Sequence, residues 1–127
     1  MAENTRKKIL IGDDDKFIRN MLSKALIQDG YDVQAVKTGR EAFEYASNNR
    51  IDALITDIYM ENMDGRELVE MMKRLSPDVP VIVMTGDQRV ELERVMRELG
   101  VFAFFSKPIE VEILKRTLNA AVEKKKR

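Results

Sequence analysis

The chain has 127 residues, enough for one domain that buries roughly two thirds of the surface its unfolded form exposes. Lys plus Arg balances Asp plus Glu at 22 each, so bulk charge points neither to nucleic acid nor to an anionic membrane surface. There is no Cys and no His, which excludes disulfides, thiolate nucleophiles and thiolate metal sites and removes the commonest general base; chemistry must run on carboxylates, hydroxyls, amines and bound metal.

Met1 to Lys8 carries charge with no apolar stretch of signal-peptide length behind it, and no segment approaches the roughly 20 apolar residues of a membrane span, so a cytoplasmic location is expected. Five strand-then-helix units follow. The first strand is expected at about Lys8 to Gly12. Its helix, about Lys16 to Gln28, carries Phe17, Ile18, Met21, Leu22, Ala25 and Leu26 at helical spacing and ends near Gly30. Asp32 to Val36 is a weaker strand, and Thr38 with Glu41 has capping-box spacing for a helix to about Asn48. A third strand, about Ala53 to Thr56, leads through Asp64-Gly65 to a helix that Ser76-Pro77-Asp78 stops after Leu75. The fourth strand, Val81 to Met84, precedes a helix with Leu92, Val95, Met96 and Leu99 on one face, closing at Gly100. The fifth, Phe102 to Phe105, precedes a helix striped by Val111, Leu114, Leu118 and Val122.

Short apolar runs separated by amphipathic helices read as parallel strands buried on both faces, hence an α/β doubly wound (βα)5 sheet. Where each run stops stands a polar signature: Asp13-Asp14-Asp15, Asp57, Thr85-Gly86 and Lys107-Pro108. In such sheets ligands bind beyond the carboxyl ends of the strands, so the four signatures read as one site. With the assumed flavodoxin-like order 2-1-3-4-5, the winding reverses between the first and third strands. Asp13 and Asp14 then lie beside Asp57, and Thr85 and Lys107 reach the crevice from the other side.

The acidic pair, Asp57, Thr85, Lys107-Pro108, and Met60 with Met63-Asp64-Gly65 together resemble the receiver domain of two-component response regulators, the CheY-like family. The resemblance covers about Lys8 to Val122 of a single domain spanning residues 1–127, with a basic tail at 124–127. It implies that Asp57 is the phosphoacceptor, that Asp13 and Asp14 belong to a metal pocket, that Thr85 contacts the phosphoryl group, that Lys107 is its cationic partner, and that Phe104 is the aromatic switch residue. It also implies a donor phosphohistidine on a sensor histidine kinase or phosphotransfer protein, and a downstream protein target or effector domain. A phosphorylation-dependent dimer is a further expectation, with neither nucleic acid nor membrane as a partner of this domain. Enzymatic activity is limited to the domain's own phosphorylation and dephosphorylation.

Residue chemistry agrees. Three clustered carboxylates repel one another, and a hard divalent cation is their complement. Mg2+ prefers oxygen ligands and retains waters, so Asp14, Asp57 and the main-chain carbonyl of Tyr59 are its expected ligands, with Asp13 acting directly or through water. Asp15 reads as a helix N-cap rather than a ligand. Phe104 reads as core or as switch with equal weight. Lys124-Lys125-Lys126-Arg127 complements the carboxyl end of the last helix. Several positions depart from the family pattern: Gly12 replaces an aliphatic residue and Glu61 a proline, both expected to loosen the loop around Asp57, and Phe104 lacks a tyrosine hydroxyl. Tyr59 is placed to shield the phosphoryl group and Asp87 to orient water. Two alternatives stand beside the switch: a receiver-shaped interaction module that never turns over phosphate, and a Mg2+-dependent aspartyl-phosphate phosphatase. The second expects an acid where Tyr59 stands.

Overall fold

The computed structural model describes residues 6–61 and 63–125, the side chains of residues 124 and 125 excepted. The elements alternate as β1 (Lys8–Gly12), α1 (Lys16–Gln28), β2 (Asp32–Val36), α2 (Gly39–Asn48), β3 (Ala53–Asp57), α3 (Gly65–Leu75), β4 (Val81–Thr85), α4 (Val90–Glu98), β5 (Ala103–Ser106) and α5 (Val111–Lys125). All strand pairs are parallel and the order is β2-β1-β3-β4-β5. The fold is the flavodoxin-like doubly wound sheet. Among the described residues no helix is long and apolar enough to cross a membrane.

The period of two along each strand divides the apolar residues between two cores. Ile9, Ile11, Ala53, Ile55, Ile82 and Met84 pack with Leu22 and Leu26 of α1 and Leu114, Leu118 and Val122 of α5. Leu10, Leu54, Val81 and Val83 pack on the other face with Ala42 and Ala46 of α2, Leu68, Val69 and Met72 of α3, and Met96 of α4. Every residue of β3 and β4 is buried, whereas the edge strands β2 and β5 are half-buried. Truncating a fully enclosed residue such as Leu54 would cost about 2–5 kcal/mol.

Local chemistry sets the helix ends. Asp15 Oδ1 accepts the Phe17 and Ile18 N–H groups at 2.8 and 3.4 Å, the N-cap role expected of it. Thr38 Oγ1 accepts the Glu41 N–H at 3.0 Å, while Glu41 Oε1 returns to the Lys37 N–H at 3.0 Å, one residue before the usual capping-box partner. Gly30, at φ 95°, turns the chain after α1 through a region that other L-residues resist. Phe17 departs from its expected place on the apolar stripe: it lies in the first turn of α1 and is 72% exposed.

The strands that carry the site differ slightly from their apolar runs. Asp57 pairs with Met84, and Thr85 with Ser106, so β3 and β4 each extend one residue into polar sequence. β5 is shifted to Ala103–Ser106, because the backbone ladder rather than the apolar run fixes an edge strand. α5 runs to Lys125; Lys126 and Arg127 of the basic tail lie outside the described residues.

Candidate functional site

β1 continues past Gly12 by one hydrogen bond, from the Asp13 N–H to the Val36 carbonyl at 3.1 Å. Asp13 is thereby drawn inside and is fully buried. Its Oδ1 accepts the Asp15 N–H at 2.8 Å, and its carbonyl accepts Arg19 Nη1 at 2.9 Å. On the neighbouring strand, Asp57 is 7% exposed. Asp57 Oδ1 accepts the Ile58 and Tyr59 N–H groups at 2.6 and 3.3 Å. The Thr56 hydroxyl donates to the Asp57 carbonyl at 2.8 Å, fixing the peptide that opens the loop.

Lys107 joins the two carboxylates. Its N–H donates to the Thr85 carbonyl at 2.7 Å, which continues the β4–β5 ladder and aims the side chain across the sheet end. The Lys107 ammonium then donates to Asp57 Oδ2 at 2.7 Å and to Asp13 Oδ2 at 2.9 Å. Burial is the strongest single influence on this amine and pulls its pKa down. The hydrogen bonds and charges of Asp57 and Asp13 together outweigh it, so the ammonium is held above the ordinary lysine value.

Asp14 completes the cluster from an exposed position; one carboxylate oxygen from each of Asp13, Asp14 and Asp57 lies within 4.8 Å of the others. Three carboxylates face one ammonium, so negative charge remains in excess. Hard oxygen donors with unbalanced charge are the donor set that a small divalent cation satisfies, and the residues fit Mg2+. Beside them an open recess of about 610 Å³ is lined by Asp14, Ile58, Tyr59, Met60, Glu61, Met63, Asp64 and Glu67.

Among the described residues, the two ends of the loop after Asp57 make close contacts. A Cβ on Gly12 would press on Thr56 Oγ1 of β3 at 3.2 Å and meet the Met60 thioether at an ordinary contact distance of 3.5 Å. Glu61 forms a bridge with Thr38. Gly65 donates to the Ile58 carbonyl at 2.7 Å, and a Cβ there would collide with the Ile58 backbone at 2.4 Å; the Met63-Asp64-Gly65 turn therefore needs this glycine.

Thr85 is fully buried, and its Oγ1 accepts the Asp87 N–H at 3.1 Å. Phe104 lies apart from the carboxylates. It is half-buried on β5, pairs with Val83, and packs against the core that contains Met96. Tyr59 stands at the rim, where its hydroxyl donates to Asp87 Oδ2 at 2.6 Å and accepts from Arg89 Nη2 at 2.8 Å. The Asp87 hydrogen bond pushes the phenol pKa up, against the smaller opposing pull of Arg89. Arg89, then Tyr59, holds the Asp87 carboxyl well below the usual carboxylate range. Arg89 carries no signal of its own in the sequence; the Asp-x-Arg spacing before a helix is the only trace of it.

A family model of the response regulator receiver domain matches residues 9–119. The chain belongs to this family. The receiver is 29% identical over 115 residues to the transcriptional regulatory protein GlrR of Escherichia coli (strain K12), covering 91% of this chain and 26% of GlrR. It is 31% identical over 124 residues to the sensor histidine kinase RcsC of the same strain, covering 98% of this chain and 13% of RcsC. The chain thus spans a minor part of both relatives. The crystal structure of a response regulator receiver domain protein (CheY-like) from Methanospirillum hungatei JF-1 superposes with a TM-score of 0.92 at 27% identity, covering 96% of this chain and 98% of that one.

Proposed function

We propose that this receiver is a phosphorylation-activated signalling switch whose phosphoacceptor is Asp57. The observation that carries the reading is the Lys107 ammonium shared between Asp57 and Asp13, with Asp14 completing the oxygen cluster. Asp13, Asp14, Asp57 and the main-chain carbonyl of Tyr59 would hold Mg2+, with Asp13 acting directly or through water. When bound, the ion neutralises charge that develops on the transferring phosphoryl oxygens.

A carboxylate oxygen of Asp57 attacks the phosphorus of a phosphohistidine on a sensor histidine kinase or phosphotransfer protein. The P–O bond forms as the P–N bond breaks, and the electron pair leaves with the imidazole. Lys107 stabilises the charge on the phosphoryl oxygens, and the Thr85 hydroxyl donates to one of them. Hydrolysis reverses the modification: water attacks phosphorus, the acyl P–O bond breaks with its electron pair going to Asp57, which returns to a carboxylate, and both protons of the water leave on inorganic phosphate as dihydrogen phosphate. Tyr59, tied to Asp87 and Arg89, stands where the phosphatase alternative requires an acid.

Output follows from Thr85 and Phe104. The modified Asp57 draws the Thr85 hydroxyl toward it, and the Phe104 ring turns into the vacated space. This changes the α4–β5–α5 face for a downstream protein target, an effector domain, or a second copy in a phosphorylation-dependent dimer. A receiver supplied by a kinase in this way is read as cytoplasmic.

Acetyl phosphate with and without Mg2+, followed by mass spectrometric mapping, tests the reading. Asp57 should carry the single phosphoryl group only with Mg2+, and Asp57→Asn should carry none. Label on another residue of the wild type, or equal label after chelation, would remove Asp57 from this role.

A further inference from the structure

The three carboxylates at the end of the sheet are not held alike. Asp57 has both oxygens engaged, Oδ1 by the Ile58 and Tyr59 N–H groups and Oδ2 by Lys107. So has Asp13, through the Asp15 N–H on Oδ1 and Lys107 on Oδ2. Asp14 differs: it is exposed, and among the described residues none donates a hydrogen bond to its carboxylate. Yet one of its oxygens falls within 4.8 Å of the other two carboxylates, so the backbone on either side must set its place. The Asp13 carbonyl, in the peptide before Asp14, accepts Arg19 Nη1 at 2.9 Å. The Asp15 N–H, in the peptide after it, donates to Asp13 Oδ1 at 2.8 Å. Both peptide planes that flank Asp14 are thus pinned, one by a buried carboxylate and the other by a guanidinium from the start of α1.

We propose that Arg19 is a positioning residue for the metal pocket: by fixing the Asp13–Asp14 peptide it aims the Asp14 carboxylate into the cluster. The proposal rests on the reading of Asp13, Asp14 and Asp57 as ligands of Mg2+. Because each peptide is planar, two held planes define φ and ψ of Asp14 and with them the direction of its Cα–Cβ bond. Arg19 is itself held in place. Its N–H donates to the Asp15 carbonyl at 3.0 Å, and its side chain lines a recess beside β2 with Gln34, Ala35, Val36, Lys37 and Glu41. The Val36 carbonyl accepts the Asp13 N–H at 3.1 Å, so strand and guanidinium grip Asp13 by its two backbone groups. Mg2+ demands near-octahedral geometry, and a carboxylate that is free to turn away serves it poorly.

The charge of Arg19 and its hydrogen bond act on Mg2+ in opposite directions, which makes the role measurable. A guanidinium near the pocket repels a dication, so loss of the charge alone would tighten binding, whereas loss of the positioning bond weakens it. The test follows backbone amide shifts through a Mg2+ titration of wild type, Arg19→Met, Arg19→Lys, Asp14→Asn and the double variant Asp14→Asn with Arg19→Met. Arg19→Met should raise the Mg2+ dissociation constant about tenfold, the low end of the range for groups that hold a metal ligand in place. Arg19→Lys should restore most of the affinity, because the bond to Asp13 is single rather than forked and an ammonium can make it. In the Asp14→Asn background, Arg19→Met should weaken binding no further, since it acts through Asp14. An unchanged or lower dissociation constant in Arg19→Met, no recovery in Arg19→Lys, or the same loss in both backgrounds overturns the positioning role. Wild type that binds Mg2+ no better than Arg19→Met removes this role and leaves the pocket standing. Wild type without Mg2+-dependent shifts removes both.

Discussion

Two charged clusters meet at the carboxyl end of the sheet, and access to water rather than distance separates them. Lys107 lies 2.7 and 2.9 Å from Asp57 and Asp13, while Arg89 lies 2.5 to 3.0 Å from Asp87, so the contacts are of similar length. In the inner cluster the Asp13 side chain is fully enclosed and that of Lys107 is 19% exposed; at the rim the Asp87 side chain is 16% exposed, but its partner Arg89 is 71% exposed. Removing Lys107 leaves Asp13 enclosed by protein, whereas removing the exposed Arg89 opens Asp87 to water from the side the guanidinium covered. The inner cluster can therefore hold a fixed chemical geometry, whereas the bonds of the outer one compete with water.

The contrast breaks first, if it is wrong, at Lys107. Lys107→Met leaves Asp13 and Asp57 facing each other without their shared ammonium. In chelator it should lower the unfolding free energy by about 3–5 kcal/mol, as for other buried pairs deprived of one member. Urea denaturation measures the loss, and a value under about 1 kcal/mol would mean that the inner carboxylates are solvated like the rim. The next effect in size is that of the metal. Mg2+ at about 100 times its dissociation constant should stabilise the wild type by roughly 2.7 kcal/mol through mass action. An unchanged urea midpoint at saturating Mg2+ would show that the three carboxylates do not act together.

Much of this was legible before the structure, and the exceptions have physical causes. Asp15, Thr38 and Gly30 mark helix ends through hydrogen bonds and dihedral preferences within a few residues, so α1 and α2 have the limits expected from sequence. Asp13, Asp57, Thr85 and Lys107 each follow an apolar run, and parallel winding alone brings such positions to one end of the sheet. The order of the strands had to be assumed, because neighbours are chosen by packing across the whole core. β5 was misplaced by one residue, since an edge strand takes its register from the β4 backbone. Arg89 was missed altogether. Its partners Tyr59 and Asp87 lie in different loops, and no periodicity links residues whose meeting depends on loop paths.

A smaller effect sharpens the inner half of the comparison at alkaline pH. Lys107 is held above its ordinary value of 10.5. Above that pH the unfolded lysine sheds its proton while the folded one keeps it, so the unfolded state binds fewer protons and stability falls as pH rises. The contribution is complete below 10.5 and disappears as pH passes through the raised folded value. Other lysines and the tyrosines titrate nearby, so the measurement is the difference between wild type and Lys107→Met followed by urea denaturation. The stability gap between the two should narrow with rising pH, and a gap that stays constant would show that the ammonium is not shared as the geometry indicates.

The smallest expected change lies at the rim, where its smallness is the point. Asp87 has its carboxyl held below the ordinary value of 3.8, so its pairing contributes above that pH and is lost as pH falls below it. Exposure to solvent screens the pair, and water replaces each bond that is broken. Arg89→Ala should therefore leave the urea midpoint at neutral pH where it stands in wild type. A loss of stability comparable to that of Lys107→Met would mean that Arg89 supports the loop structure as Lys107 supports the carboxylates. The two clusters would then no longer divide into an enclosed site and a solvated rim.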